Sequence, residues 1–120
     1  MPFEIRRFPA FDNLLQEILK TYPLAGPEVN RCLDGLAVYH LQGDVYPGFG
    51  GLQVRKLRLP LKAYGIGKSK GLRLLYLVAP EKRQIVPLMV YKKGEFASEG
   101  KVVKAAGKLL SVLLSEILSR

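Results

Sequence analysis

The residues here that could do chemistry are cations, and they cluster. Between Gly51 and Lys93 eleven basic residues stand against one acid, Glu81, whereas the other 77 residues carry eight basic and nine acidic groups. Within that window Lys56 and Arg58 are two apart, Lys68 and Lys70 flank Ser69, Arg73 follows, and Tyr91 and Lys93 are again two apart. In an extended segment a two-residue spacing puts both side chains on one face. Because the cations alternate with apolar residues, they describe a folded basic surface, which attracts phosphate backbones. A solvated face that only aids solubility is the alternative.

Gly67-Lys68-Ser69 has the ending of a phosphate-binding P-loop, but the glycine required five positions earlier is Lys62, and the run leads into a strand rather than a helix. A nucleoside-triphosphate site is therefore not expected. A glycine-rich basic loop between strands can still offer amides and ammonium groups to a phosphate. The lone His40 excludes any mechanism needing two histidines, and with one cysteine, Cys32, there is neither an internal disulfide nor a Cys/His zinc cluster; no metal or other cofactor is expected.

Elements must position these groups. Phe3 to Phe8 reads as an opening strand stopped by Pro9, and Asp12 or Asn13 can cap a helix through Leu14, Leu15, Ile18 and Leu19. A second helix starts at Pro27, carries Val29, Leu33, Leu36, Val38 and Leu41, and ends at Gly43. Three strands follow: Gln53 to Leu59, with Lys56 and Arg58 opposite Leu57 and Leu59; Leu72 to Val78, apolar enough to be buried on both faces; and Ile85 to Lys93, where Pro87 demands an edge position or a bulge. A helix over Glu99–Leu118 closes the chain, with Val102, Ala106, Leu109, Leu113 and Ile117 as its stripe and Val103, Leu110 and Leu114 widening it. The prediction is one α+β domain over 1–120: a small antiparallel sheet in the order strand, helix, helix, three strands, helix, with helices packed on one side. At 120 residues a second domain does not fit. The N-terminus lacks the apolar core of a secretory signal, and the final helix is broken by Lys108 and Glu116, so a cytoplasmic protein without a membrane span is expected.

Val54-Arg55-Lys56-Leu57-Arg58-Leu59, the loop Gly65 to Gly71, Leu72-Arg73-Leu74-Leu75-Tyr76 and Leu88-Met89-Val90-Tyr91-Lys92-Lys93-Gly94-Glu95 together resemble the RelE/ParE superfamily of toxin-antitoxin toxins, in its HigB-like branch. The matching part covers about Gln53 to Glu95; the helix hairpin before it agrees with the family's element order, and the Asp44 to Gly51 loop carries no matching signature.

The resemblance implies an mRNA endonuclease, ribosome-dependent or free, that leaves a cyclic phosphate and is neutralised by a cognate antitoxin. Such cleavage removes the 2′-hydroxyl proton, stabilises a phosphorane and protonates the 5′-oxygen. With His40 remote, the work would fall to Lys56, Arg58, Lys68, Arg73, Tyr91 and Lys93: arginine forks as phosphate clamps, and a lysine crowded by cations as base. Arg55, Lys62, Lys70 and Lys92 would hold the rest of the RNA. Two other classes stay open, a ParE-like gyrase poison and a non-catalytic nucleic-acid-binding module. The wide apolar arc of the last helix offers a surface for an antitoxin helix or for a homodimer. His40 and Tyr76 are read as packing residues, Tyr76 with a satisfied hydroxyl.

Overall fold

The computed structural model describes residues 2–119. Its sheet has five strands in the order β1-β5-β4-β3-β2: β1 (Glu4–Ile5), β2 (Asp44–Val45), β3 (Gln53–Leu59), β4 (Leu72–Ala79) and β5 (Gln84–Lys92). The helices are α1 (Pro9–Thr21), α2 (Gly26–Val38) and α3 (Glu99–Leu118). Strands β2 to β5 are antiparallel neighbours, as short connections dictate. The expected sheet was antiparallel throughout, but β1 runs parallel to β5, with Glu4 opposite Gln84, so the sheet is mixed. The chain between the two parallel strands contains the helical hairpin and β2 to β4, more than the roughly one dozen residues a parallel pairing needs.

Every residue from Leu72 to Val78 is buried, because β4 is covered on both faces. Leu72, Leu74, Tyr76 and Val78 pack with Phe11, Leu15 and Ile18 of α1 and Val29, Leu33 and Leu36 of α2. Leu75 and Leu77 pack with Val102, Ala106, Leu110 and Ile117 of α3. The helices therefore lie on both sides of the sheet, α3 alone on its side, and not on one side as expected. The continuous apolar run of β4 required two covers; the sequence did not show which helix supplied the second.

Pro9 does not merely stop a strand; it occupies the first turn of α1, where its missing N–H costs nothing. Phe8 stands at the N-cap without a capping side chain, so the expected Asp12 or Asn13 cap is displaced. Asp12 instead lies in the first turn, where the Arg7 guanidinium binds its carboxylate at 2.6 Å. Helix α2 ends at Val38 rather than near Gly43, and Leu41 is exposed. Two sheet residues pin the connection that follows. The buried Tyr76 hydroxyl lies 2.7 Å from the Gln42 carbonyl and accepts from the Gln42 N–H at 2.9 Å, and Arg55 donates to the carbonyls of Gln42 and Gly43. The His40 ring stacks on Phe3 at 4.0 Å. The bulge anticipated at Pro87 is present: Leu75 faces Met89 whereas Tyr76 faces Pro87.

Helix α3 has the expected bounds, but Leu110 lies on its buried line, and Leu109 and Leu113 flank it half-buried. The sheet covers most of the arc that had suggested a homodimer surface, leaving Val112 and Leu118 as its exposed large residues. Among the described residues no helix is long and apolar enough to cross a membrane.

Candidate functional site

The faces carrying the cations of β3 and β5 coincide. Across the sheet Arg58 stands opposite Arg73, and Arg73 opposite Tyr91, so two guanidinium groups and a phenol form one row on the α3 side. Lys56 lies two residues before Arg58 on that face. Lys93 lies two residues after Tyr91, its N–H donating to the Gly71 carbonyl at 2.9 Å. Lys56, Arg58, Arg73, Tyr91 and Lys93 line one cleft of about 250 Å³, closed on its far side by Phe96, Ser98, Glu99 and Val102.

Arg73 is buried and anchored. Its guanidinium donates to the carbonyls of Lys68 at 2.9 Å, Leu72 at 3.2 Å and Ser69 at 3.0 Å, fastening the 3-10 turn Lys68–Lys70 to the strand. Burial first, and the neighbouring Arg58 second, lower its pKa from the usual arginine value. Gly71 lets this turn pass β3, since a Cβ there would sit 2.0 Å from the Leu59 carbonyl oxygen. Like charges directly opposite on a sheet are unfavourable, and among the described residues no carboxylate bonds to either arginine, so the pair's positive charge is not neutralised locally.

Tyr91 is 4% exposed, and among the described residues its buried hydroxyl has no hydrogen-bond partner. Phe96 packs edge-on against its ring. Burial, with Glu99 adding to it, pushes its pKa up to about 12, so Tyr91 is a neutral phenol at physiological pH.

Sequence reasoning missed the cleft's acid. Glu99 stands in the first turn of α3, whose N-cap is Ser98. The Tyr46 hydroxyl donates to one of its oxygens, and Lys56 Nζ lies 3.4 Å from the other. The Tyr46 bond and the neighbouring lysines hold the Glu99 pKa below its ordinary value against some burial, while Tyr46 is shifted upward by burial and by Glu99. Lys56 also lies over the Tyr46 ring at 5.0 Å. A carboxylate therefore partners Lys56, and crowding by cations alone, the reason given for a lysine base, does not hold at that lysine. Glu99 was detectable as an acid in the helix turn nearest the Tyr91–Lys93 strand end. Tyr46 lies in a loop without sequence signature.

The other expected residues are elsewhere. Lys68 does not line the cleft; its carbonyl holds Arg73 while its side chain borders a groove on the α2 side of β3 with Lys62. Arg55 faces the α1/α2 layer, bound to backbone carbonyls. Lys92 borders a hollow with Leu14, Ile18 and Glu95, and Lys70 is exposed on the 3-10 turn. Among the described residues no three His, Cys, Asp or Glu side chains are grouped to hold a metal.

Neither protein-family models nor curated proteins give a match to the chain. Among solved structures it is similar to the Escherichia coli toxin RelE, a double arginine-to-alanine mutant in the free state, with a TM-score of 0.59 and 19% identity over 90% of this chain and 97% of that one. The likeness shows a RelE-like fold.

Proposed function

We propose that this chain is a RelE-like toxin that cleaves mRNA at the cleft between the sheet and the start of α3; the motif run over residues 53–95 supports the HigB-like branch. The observation that carries the reading is the row Arg58, Arg73, Tyr91: two uncompensated guanidinium groups beside a buried phenol whose hydroxyl lacks a partner. A scissile phosphate supplies an anion for the two guanidinium groups and a hydrogen-bond acceptor for the phenol.

In this mechanism the RNA 2′-oxygen attacks phosphorus and the bond to the 5′-oxygen breaks, leaving a 2′,3′-cyclic phosphate and a 5′-hydroxyl. Arg58 binds the non-bridging oxygens, and Arg73, held in place by its carbonyls, adds its charge beneath them. Lys56 and Lys93 balance the extra charge of the phosphorane. The Tyr91 phenol gives its proton to the departing 5′-oxygen.

The proton acceptor is decided by protonation. A lysine at its reference pKa of 10.4 is free base in only about one part in 2,500 at pH 7, whereas a carboxylate is ionised throughout. Glu99, the cleft's carboxylate, is the acceptor for the 2′-hydroxyl proton, taking the place first assigned to a lysine. The partner this activity requires is a neutralising antitoxin, and free or ribosome-bound mRNA is the substrate.

The test is expression without an antitoxin, followed by primer extension on cellular transcripts. Growth arrest with new 5′ ends is expected, and the purified protein should yield cyclic-phosphate ends from RNA in excess chelator. Arrest with intact transcripts would replace the nuclease by the gyrase-poison reading.

A further inference from the structure

The cleft is not the only basic depression. On the opposite side of β3 a groove of about 350 Å³ runs between α2 and the residues after the strand, lined among others by Arg31, Arg58, Lys62 and Lys68. Glu28 is its single acid. Among the described residues none of these four cations makes a salt bridge, unlike Arg6, Arg7, Lys20 and Lys56. Arg58 lines both the groove and the cleft, so the two are contiguous around the exposed edge of that side chain.

We propose that this groove is a second subsite, which takes the sugar-phosphate backbone of the RNA strand flanking the phosphate held in the cleft. The inference rests on the nuclease reading and extends it: the substrate is a single strand several nucleotides long that wraps from the α3 side to the α2 side. Unpaired cations on both sides of a shared arginine form a continuous positive track. The groove lining contains no aromatic side chain. It therefore has no platform on which to stack a base, and it contributes affinity and salt dependence rather than sequence preference. Arg31 on α2 is the residue that this track adds to those the sequence suggested. It is a binding residue and takes no part in bond breaking.

The probe is fluorescence anisotropy with labelled oligonucleotides bearing 2′-O-methyl groups, which cannot be cut: a trimer that reaches only the cleft, and a nonamer that also reaches the groove. Arg31→Ala/Lys62→Ala changes two exposed side chains, so its thermal unfolding should match wild type. The expected result is a loss of about tenfold or more in nonamer affinity, a shallower salt dependence by about 0.7 in slope for each phosphate no longer neutralised, and unchanged trimer binding. Unchanged nonamer affinity and slope would overturn the subsite and leave the groove to an acidic protein segment. Equal losses for trimer and nonamer would overturn it too, since the groove would then not be separate from the cleft. If wild type binds neither oligonucleotide, the subsite is overturned for the free protein, whereas the nuclease reading stands or falls separately on the new 5′ ends in cellular transcripts.

Discussion

At the scale of single residues, Tyr91 and Arg73 show how burial decides which substitutions are informative. The Tyr91 hydroxyl is buried without a partner, so Tyr91→Phe removes a desolvated group that stabilises nothing. The melting temperature should stay level or rise, while cleavage falls by about 10²–10⁴-fold for the loss of a general acid; a slower enzyme that is also less stable would contradict this assignment. Arg73 is the opposite case. Its charge faces Arg58, but two of its hydrogen bonds hold the Lys68–Lys70 turn and a third goes to the Leu72 carbonyl. Arg73→Ala should therefore cost about 2–4 kcal/mol in denaturant unfolding, through the carbonyls it abandons. Arg58→Ala, at an exposed position, should leave stability within about 0.5 kcal/mol and remove cleavage. The pH profile separates the two candidate bases. The Glu99 pKa is depressed below its ordinary value, so the carboxylate is ionised from below pH 5 upward; the Tyr91 pKa of about 12 keeps the phenol protonated to well above pH 9. Log kcat/KM should be flat from pH 6 to 9, whereas a lysine base at its reference pKa would make it climb by about one decade per pH unit.

At the scale of elements, α3 shows what the sequence could and could not disclose. Its apolar periodicity and the Glu99–Leu118 bounds were legible, as were the face of Lys56 and Arg58, the two-sided burial of β4 and the bulge demanded by Pro87. All of these are local, set by side-chain period and backbone chemistry. The stripe's centre was not legible: Leu109 and Leu110 are adjacent and equally apolar, and only the sheet beneath α3 makes Leu110 the buried one. The cleft was half legible for the same reason. Strand alternation put Lys56 with Arg58 and Tyr91 with Lys93, but the two faces coincide through the β3-β4-β5 pairing, and Glu99 and Tyr46 reach the site only by tertiary packing. The charge count could not distinguish faces either: Arg55, expected to hold RNA, lies on the α1/α2 side of the sheet, bound to the Gln42 and Gly43 carbonyls. A paired substitution tests the packing of α3. Leu110→Glu buries an unpaired charge against β4 and β5 and should cost more than about 4 kcal/mol, to the point of unfolding the protein, whereas Val112→Glu at an exposed position should change stability by no more than about 0.5 kcal/mol in chemical denaturation.

At the scale of the whole molecule, the basic window occupies the middle of the sheet and its connecting turns, while both helical layers serve to bury the strands that carry it. The arrangement places the rigid part of the protein directly under the cleft. Strand β4 is covered on both faces and paired on both edges along its length, whereas β5 pairs with β4 throughout but with β1 only at Gln84 and Ile85. By contrast β1 and β2 are two residues long and lie at the sheet's edges, so they lack this protection. Local opening should therefore begin at those edges and leave Arg73 and Tyr91 on the last structure to yield. Native-state hydrogen exchange read residue by residue provides the measurement. The amides of Leu74 to Leu77 should exchange only through global unfolding, with the denaturant dependence of the full transition, while Val45 and the turn Lys68–Lys70 should exchange through small local openings. Faster exchange in the β4 centre than at β2 would mean that the cleft's floor is not the stable core, and that the row Arg58, Arg73, Tyr91 is not preorganised for a phosphate.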